Sequence, residues 1–264
     1  MAFDILKNKK MEEIKGLHLF HHPASNNALR VRLLLEEKQI PWQSHIVHLN
    51  KFEQFSPEFL RLNPQGSVPT LLHNGTPING SENILKYLEA VFSKNSFTPF
   101  PTKETEMWEW VQASTRTHIS SIVYYLYAQG FGRPARKDKL HFYKECNYEK
   151  YRFLVDKGYH MSLEEKEEAL IINELQMQRL EDSLEGQDYI LGDKISVADI
   201  AWAPNVMFLQ YLNFDFSKYP KVVNWVEKIR RRPSYNTKSD MPKYMTPIVK
   251  FYFKMLLMKK SYLK

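Results

Sequence analysis

The chain has 264 residues, of which 43% are hydrophobic and 25% charged, with a formal net charge of +7 and one cysteine, Cys146. That length suits one large or two small domains, and the composition excludes a disordered chain, an intrachain disulfide and a cysteine-based zinc cluster. No run of about 18 uncharged apolar residues is present for a membrane span, and the start lacks the apolar core of a secretory signal, so a cytoplasmic setting is expected.

Residues 1–16 read as an N-terminal extension. Leu17 to Phe20 is a short apolar segment, followed by a loop through His21-His22-Pro23-Ala24-Ser25. Ser25 or Asn26 caps a helix whose Leu29, Leu33 and Leu34 fall at helical spacing, and Ile40-Pro41 ends it. Gln43 to Leu49 reads as a strand. Ser56-Pro57-Glu58 opens a helix, with serine as cap and proline in the first turn. Val68 to Leu72 reads as a strand, Asn74-Gly75 as a tight turn and Thr76 to Asn79 as the return strand. Pro69 has no N–H to give a sheet, and X–Pro bonds tolerate cis. A cis bond there turns the Val68 N–H and C=O outward, free to pair with an extended peptide; a plain turn before an edge strand is the alternative. Ser81 opens a helix to Phe92 with Ile84, Leu85, Leu88 and Val91 on one face.

This order, with a parallel start and an antiparallel hairpin, is the α+β thioredoxin-like arrangement, expected over 17–94. A proline-rich linker follows at 95–102. Glu104 to Gln129, Ser162 to Glu185, Ser196 to Leu212 and Pro220 to Arg232 are helical by period, so 103–236 is expected to be all α. Ser196 and Asp199 stand at capping-box spacing, with Ile195 as hydrophobic staple, worth about 1 kcal/mol.

Four segments carry a resemblance: Ser25 ahead of Leu29-Arg30-Val31-Arg32, the run Asn63-Pro64-Gln65-Gly66-Ser67-Val68-Pro69-Thr70-Leu71, Gly80 to Ile84, and Tyr189 to Ile200. In this order and at these distances the chain resembles the cytosolic glutathione transferases. Gln54-Phe55-Ser56 and the Ser25-to-Arg30 spacing are similar to the serine-type zeta and theta groups. Serine-type bacterial dehalogenases and the ganglioside-induced differentiation-associated proteins are also similar. The resemblance implies glutathione as co-substrate, a small electrophile as second substrate and a homodimer.

It also assigns residues. A free thiol has a pKa near 8.5, so only a few per cent is thiolate at neutral pH; a donor hydroxyl and a helix N-terminus both favour the anion. Ser25 is implied to be the catalytic thiolate stabiliser, with a plain helix cap as its alternative. Asn27, with Asn26, is implied as an amide donor. Val68 would pair with the cysteinyl unit, Pro69 hold that geometry, Ser81 take the γ-glutamyl carboxylate and Gln54 the glycyl end. The residue before Ser81 is usually Glu or Gln in the family, and here it is Gly80, which removes side-chain contacts to the γ-glutamyl end. His118, Tyr124 and Tyr125, near Trp108, lie where substrate-site residues often sit, with a core role as their alternative. No metal site is expected.

Two further segments stand apart. Residues 130–162 form an insertion with eight Lys/Arg, four Asp/Glu and Phe131, Phe142, Tyr143, Tyr148, Tyr151, Phe153 and Tyr159. It is read as a lid over a bulky or acidic substrate, or as a solvated insertion whose aromatics pack on its own domain, the second being favoured. From Pro233 onward seven lysines stand against one aspartate, so the basic excess belongs to the tail, 237–264. No nucleic-acid partner is expected. The apolar, lysine-striped tail suits either an anionic membrane surface or its own domain. The expected activity is attack of a Ser25-stabilised glutathione thiolate on an electrophile by conjugation, dehalogenation or isomerisation. The reading from a different class is a non-catalytic binding or membrane-associated protein of the same fold.

Overall fold

The computed structural model describes residues 3–128, 136–156 and 161–236. The basic tail, and Phe131 and Tyr159 of the insertion, lie outside the described residues, as does the membrane contact expected of the tail. Among the described residues no helix is long and apolar enough to cross a membrane.

The first domain runs α1 (Asp4–Asn8), β1 (Leu17–His21), α2 (Asn26–Glu37), β2 (Gln43–Ile46), α3 (Pro57–Leu62), β3 (Thr70–His73), β4 (Thr76–Asn79) and α4 (Ser81–Val91). The sheet order is β2-β1-β3-β4, with β1 parallel to β2 and antiparallel to β3, and β3 antiparallel to β4. This is the thioredoxin-like arrangement expected of the sequence. Asn74 and Gly75 both have positive φ, as the two-residue hairpin turn requires. The residues ahead of β1 fold against the domain: Phe3, Leu6 and Ile14 join Phe20, Val47, Phe59, Leu62 and Leu72 in one apolar cluster.

Several boundaries differ from the sequence reading. The third strand begins at Thr70, leaving Val68 and Pro69 in the approach to it, and β2 ends at Ile46 rather than Leu49. Val91 is 48% exposed although Ile84, Leu85 and Leu88 of its stripe are buried. Helical period sets the angle of a side chain but not how far along the helix the covering layer extends.

The second domain is helical: α5 (Glu104–Thr117), a π-helical turn at His118–Ile122, α6 (Val123–Ala128), α7 (Leu140–Cys146), α8 (Tyr148–Asp156), α9 (Leu163–Ser183), α10 (Val197–Tyr211), α11 (Pro220–Arg230) and α12 (Pro233–Asn236). The single helix expected over 104–129 is interrupted by the π turn, an irregularity common at functional sites. Helix α10 is buried along nearly its whole length and packs against both α5 and α2. Trp202 anchors it, its indole N–H donating to Trp110 C=O at 2.9 Å. A further tie binds the domains elsewhere, where Arg232 and Ser234 donate to Glu37 of α2. Within the first domain, buried Lys38 pairs with Glu89 of α4 at 2.8 Å and donates to the Phe92 and Asn95 carbonyls, holding the start of the linker.

Candidate functional site

Sheet register gathers the candidate residues. Phe20 pairs with Thr70 and Thr70 with Asn79, while His21 lies beside Ile46 of parallel β2. The chain therefore leaves β1, β2 and β4, and enters β3, at one end of the sheet. The Ser25 loop, the Gln54 segment, Val68-Pro69 and Gly80-Ser81 all emerge there. Ligands in open sheets with parallel βαβ units bind at such ends.

Ser25 caps α2: its Oγ accepts from the Ala28 N–H at 3.2 Å and its C=O from the Leu29 N–H at 3.0 Å. The acceptor side of the hydroxyl is thus used, and the O–H remains to donate outward. The first two N–H groups of α2, those of Asn26 and Asn27, have no backbone acceptor. A hydroxyl donor and two amides at a helix N-terminus make a site for a thiolate or similar anion. Cap and anion donor are therefore compatible roles for one serine.

The approach to β3 is built by Asn63, a fully buried residue the sequence reading passed over. Its Nδ2 donates to Ser67 C=O at 2.7 Å and Thr70 Oγ1 at 3.1 Å, and its Oδ1 accepts from Gln65 N–H at 3.1 Å. The Asn-Pro pair ahead of a glycine is a turn signal that could have marked it. Gly66 has positive φ, and a Cβ there would meet the Phe55 ring at 2.6 Å, so the turn closes only on glycine. The Val68–Pro69 bond is cis. Neither the N–H nor the C=O of Val68 has a backbone partner among the described residues, so this edge is open to an extended peptide.

Gly80, not Ser81, is the N-cap of α4, and it makes no side-chain cap bond. Its φ of 83 is one that glycine takes without strain. Ser81 is the first helical residue, buried, and ahead of the Ile84 N–H, which bonds Gly80 C=O, three N–H groups lack backbone acceptors. A Ser81 hydroxyl beside an uncapped helix N-terminus is a carboxylate-binding arrangement.

The helical domain supplies the opposite wall. Asn26 Nδ2 donates to Asn205 Oδ1 at 2.7 Å and lies 3.1 Å from His118 Nδ1, while Asn205 Nδ2 donates to Ser114 C=O at 2.8 Å. Asn26 is thus committed to tying α2 to α5 and α10 and does not serve as an outward donor. Asn27 retains a buried Oδ1 without a partner. Arg30, fully buried, donates from Nη1 to Thr115 Oγ1 at 2.9 Å, and burial lowers its pKa to about 10, which leaves it charged.

Of the substrate-side residues, His118 is beside the Ser25 loop through Asn26. Tyr124 packs on Phe153 at 5.1 Å. Tyr125 is buried in the core, edge-on to Phe214 at 5.9 Å, the core role given as its alternative. The insertion also departs from the favoured reading. Phe142 stacks on Phe55 of the first domain at 5.2 Å, and Tyr143 meets the same ring edge-on at 4.9 Å. Phe153, packing on Tyr124 and Tyr127, and Tyr148, stacked on Tyr151 at 5.8 Å, behave as expected of a self-contained insertion. No group of three metal-ligating side chains occurs among the described residues.

Two histidines give the fold a pH dependence. Burial first, then Arg30 and Lys150, lowers the His118 pKa to about 3; burial, then Arg32 and neighbouring histidines, does the same to His21. The unfolded chain takes up these protons near pH 6.5, the native protein only near 3. Stability is therefore fully present above about pH 6.5 and is lost as pH falls toward 3, by up to ~1.4 kcal/mol per unit for each histidine. The urea midpoint should fall steadily between pH 6.5 and 4.5, and His118→Gln should flatten that slope. An equal slope in wild type and variant would rule His118 out as a contributor.

Residues 24–91 match the family described as glutathione S-transferase, N-terminal domain, and residues 142–233 match glutathione S-transferase, C-terminal domain. Glutathione S-transferase D7 of Drosophila melanogaster is 26% identical, over 80% of this chain and 83% of its own. Protein LigF of Sphingobium sp. is 28% identical, over 83% of this chain and 91% of its own. The crystal structure of the beta-etherase LigF superposes with a TM-score of 0.71 at 24% identity, covering 84% of this chain and 97% of that one. A glutathione transferase from Burkholderia graminis, described with two glutathione molecules bound per subunit, superposes at 0.68 and 24% identity, covering 92% and 95%. These structural likenesses establish the fold.

Proposed function

The chain belongs to the glutathione S-transferase superfamily, and from that premise we propose that it activates glutathione as a thiolate on Ser25 and directs it at a small electrophile. The observation that carries this reading is the convergence, at one end of the sheet, of three unsatisfied groups matching three parts of one tripeptide. The Ser25 hydroxyl with the α2 N-terminus suits the sulfur. The open Val68 backbone suits the cysteinyl amide, and the uncapped α4 N-terminus with Ser81 suits the γ-glutamyl carboxylate. Gln54 and Asn27, each with a buried, unpartnered carbonyl oxygen, complete the glutathione side. The description of the Burkholderia graminis relative with glutathione supports the same choice of co-substrate.

The chemistry is substitution or addition at an electrophilic carbon: sulfur forms the new bond, and in substitution the leaving group departs with its bonding pair, while in addition the displaced π pair takes up a proton from solvent. Ser25 keeps its proton throughout and donates a hydrogen bond to the sulfur, lowering the thiol pKa without acting as a base. The neutral His118 and Tyr124 line the electrophile side. A homodimer belongs to the same reading and is checked by sedimentation equilibrium.

Gly80 makes the γ-glutamyl end depend on Ser81 and helix amides alone. Ser81→Ala should weaken glutathione binding about 10- to 100-fold in calorimetry, the worth of one charge-assisted hydrogen bond. Saturable wild-type binding that the variant leaves unchanged would remove Ser81 from the site. No wild-type binding at millimolar glutathione would overturn the reading and favour a non-catalytic module of this fold.

A further inference from the structure

The hairpin of α7 and α8 reaches across the cleft onto the first domain, and its contacts lead to one cation. Phe142 and Tyr143 clasp Phe55, while Lys139 and Arg136 lie over the Phe52 ring at 5.7 and 5.6 Å. Tyr143 packs on Phe55, the residue next to Gln54, and the Lys150 ammonium sits over the Tyr143 ring, 5.6 Å from its centroid. Lys150 is also near enough to His118 to disfavour that ring's protonation. It has no salt bridge among the described residues. Lys150 is solvent-accessible, yet desolvation holds its pKa below the ordinary lysine value.

The neighbouring polar atoms describe what would meet this ammonium. Gln54 is buried, and its Oε1 has no donor. The site thus offers an unpaired acceptor and an unpaired ammonium. The C-terminal residue of a peptide presents the matching pair, an N–H and a carboxylate separated by a single Cα. Glycine suits a slot narrowed by Phe55, Phe142 and Tyr143, because it adds no side chain.

We propose that Lys150 binds the glycyl carboxylate of glutathione from the helical domain, so that the α7–α8 hairpin completes the co-substrate site across the cleft. This assignment rests on the glutathione reading above. It makes Lys150 a specificity residue rather than a catalytic one, since it touches the end of the tripeptide remote from sulfur. It also explains why the insertion's aromatics pack on the first domain: they hold the ammonium over the Gln54 segment.

Calorimetry on the full chain tests it with two ligands, glutathione and γ-glutamylcysteine, which lacks the glycine. Lys150→Ala should weaken glutathione about 10-fold or more and leave γ-glutamylcysteine within about twofold. Lys150→Arg should recover most of the glutathione affinity. Lys139→Ala, which removes a nearby positive charge over Phe52, should affect neither ligand by more than about twofold. Equal weakening of both ligands by Lys150→Ala would overturn the assignment and make the hairpin a structural support. Unchanged glutathione affinity with a raised KM for carboxylate-bearing electrophiles would overturn it too, placing Lys150 on the second substrate. If wild type binds neither ligand, the glutathione reading itself fails; if wild type binds and Lys150→Ala matches it, only the Lys150 assignment does.

Discussion

Replacing Ser25 with alanine should lower kcat/KM for glutathione-dependent turnover at pH 7 by about 25-fold, the ratio of thiolate fractions for a two-unit pKa change, while leaving glutathione affinity within a few-fold. The hydroxyl contributes in the reacting state by donating to sulfur as a thiolate, and a hydrogen bond to a charged acceptor is worth about 1.5–3 kcal/mol, more in a water-poor cleft. Without it, the thiol pKa rises toward its free value near 8.5, so less of the bound tripeptide is reactive at neutral pH. The loss should therefore shrink as pH rises from 7 to 9, because solvent base then supplies the ionisation. Thiolate absorbance of the bound complex, titrated against pH, reads this directly: the wild-type midpoint should lie about two units below that of the variant. Ser25 also caps α2, and removing that cap costs about 1 kcal/mol of stability. Ser25→Thr keeps both hydroxyl and cap and should retain most activity, which separates a catalytic loss from a folding loss. Parallel pH–rate profiles for wild type and Ser25→Ala would reduce Ser25 to its capping role.

The parts of this fold that were legible in the sequence are those fixed by neighbours in the chain. Asn74-Gly75 sets a two-residue turn by itself, Ser56-Pro57 starts a helix by itself, and the alternation of strand and helix follows from period alone. Local chemistry also exposed Val68 and Ser25, since a proline in a strand-like run and a serine before a helix each leave backbone groups to be satisfied. What escaped depends on residues distant in sequence. Asn26 looked like a second amide donor, yet Asn205, 179 positions away, takes its hydrogen bond. Tyr125 stood equally for a pocket or a core residue, and Phe214, far along the chain, is the ring it packs on in the core. Ser81 opens its helix as read, but the cap position ahead of it falls to Gly80, where the backbone has positive φ. The insertion carried no periodic signal for its target, and only the ring of Phe55 explains where Phe142 and Tyr143 go.

The largest stability effect should come from Asp199→Ala, which should destabilise the chain by about 3–5 kcal/mol rather than the ~1 kcal/mol of an ordinary cap. Capping-box spacing accounts for one of its bonds, from the Ser196 N–H to Oδ2 at 2.8 Å. Three more converge on the same buried carboxylate: the Ser196 hydroxyl at 2.7 Å, the Ile190 N–H at 3.0 Å and the Trp225 indole N–H at 2.8 Å. Burial pushes this carboxyl's pKa up, and the four donors oppose that shift by favouring the anion. Alanine leaves all four donors buried with no acceptor, each costing about 1–3 kcal/mol before relaxation recovers part of it. These donors join α10 to the 189–192 turn and to α11, so the loss falls on the element that also positions Asn205 against Asn26. Asp199→Asn keeps one acceptor oxygen but turns an NH2 toward some of the donors, and an intermediate loss of about 2 kcal/mol is expected. Urea denaturation with an unchanged m-value measures both. A loss below about 1.5 kcal/mol for Asp199→Ala would mean that the freed donors find water, and that the carboxylate serves α10 as a cap and little more.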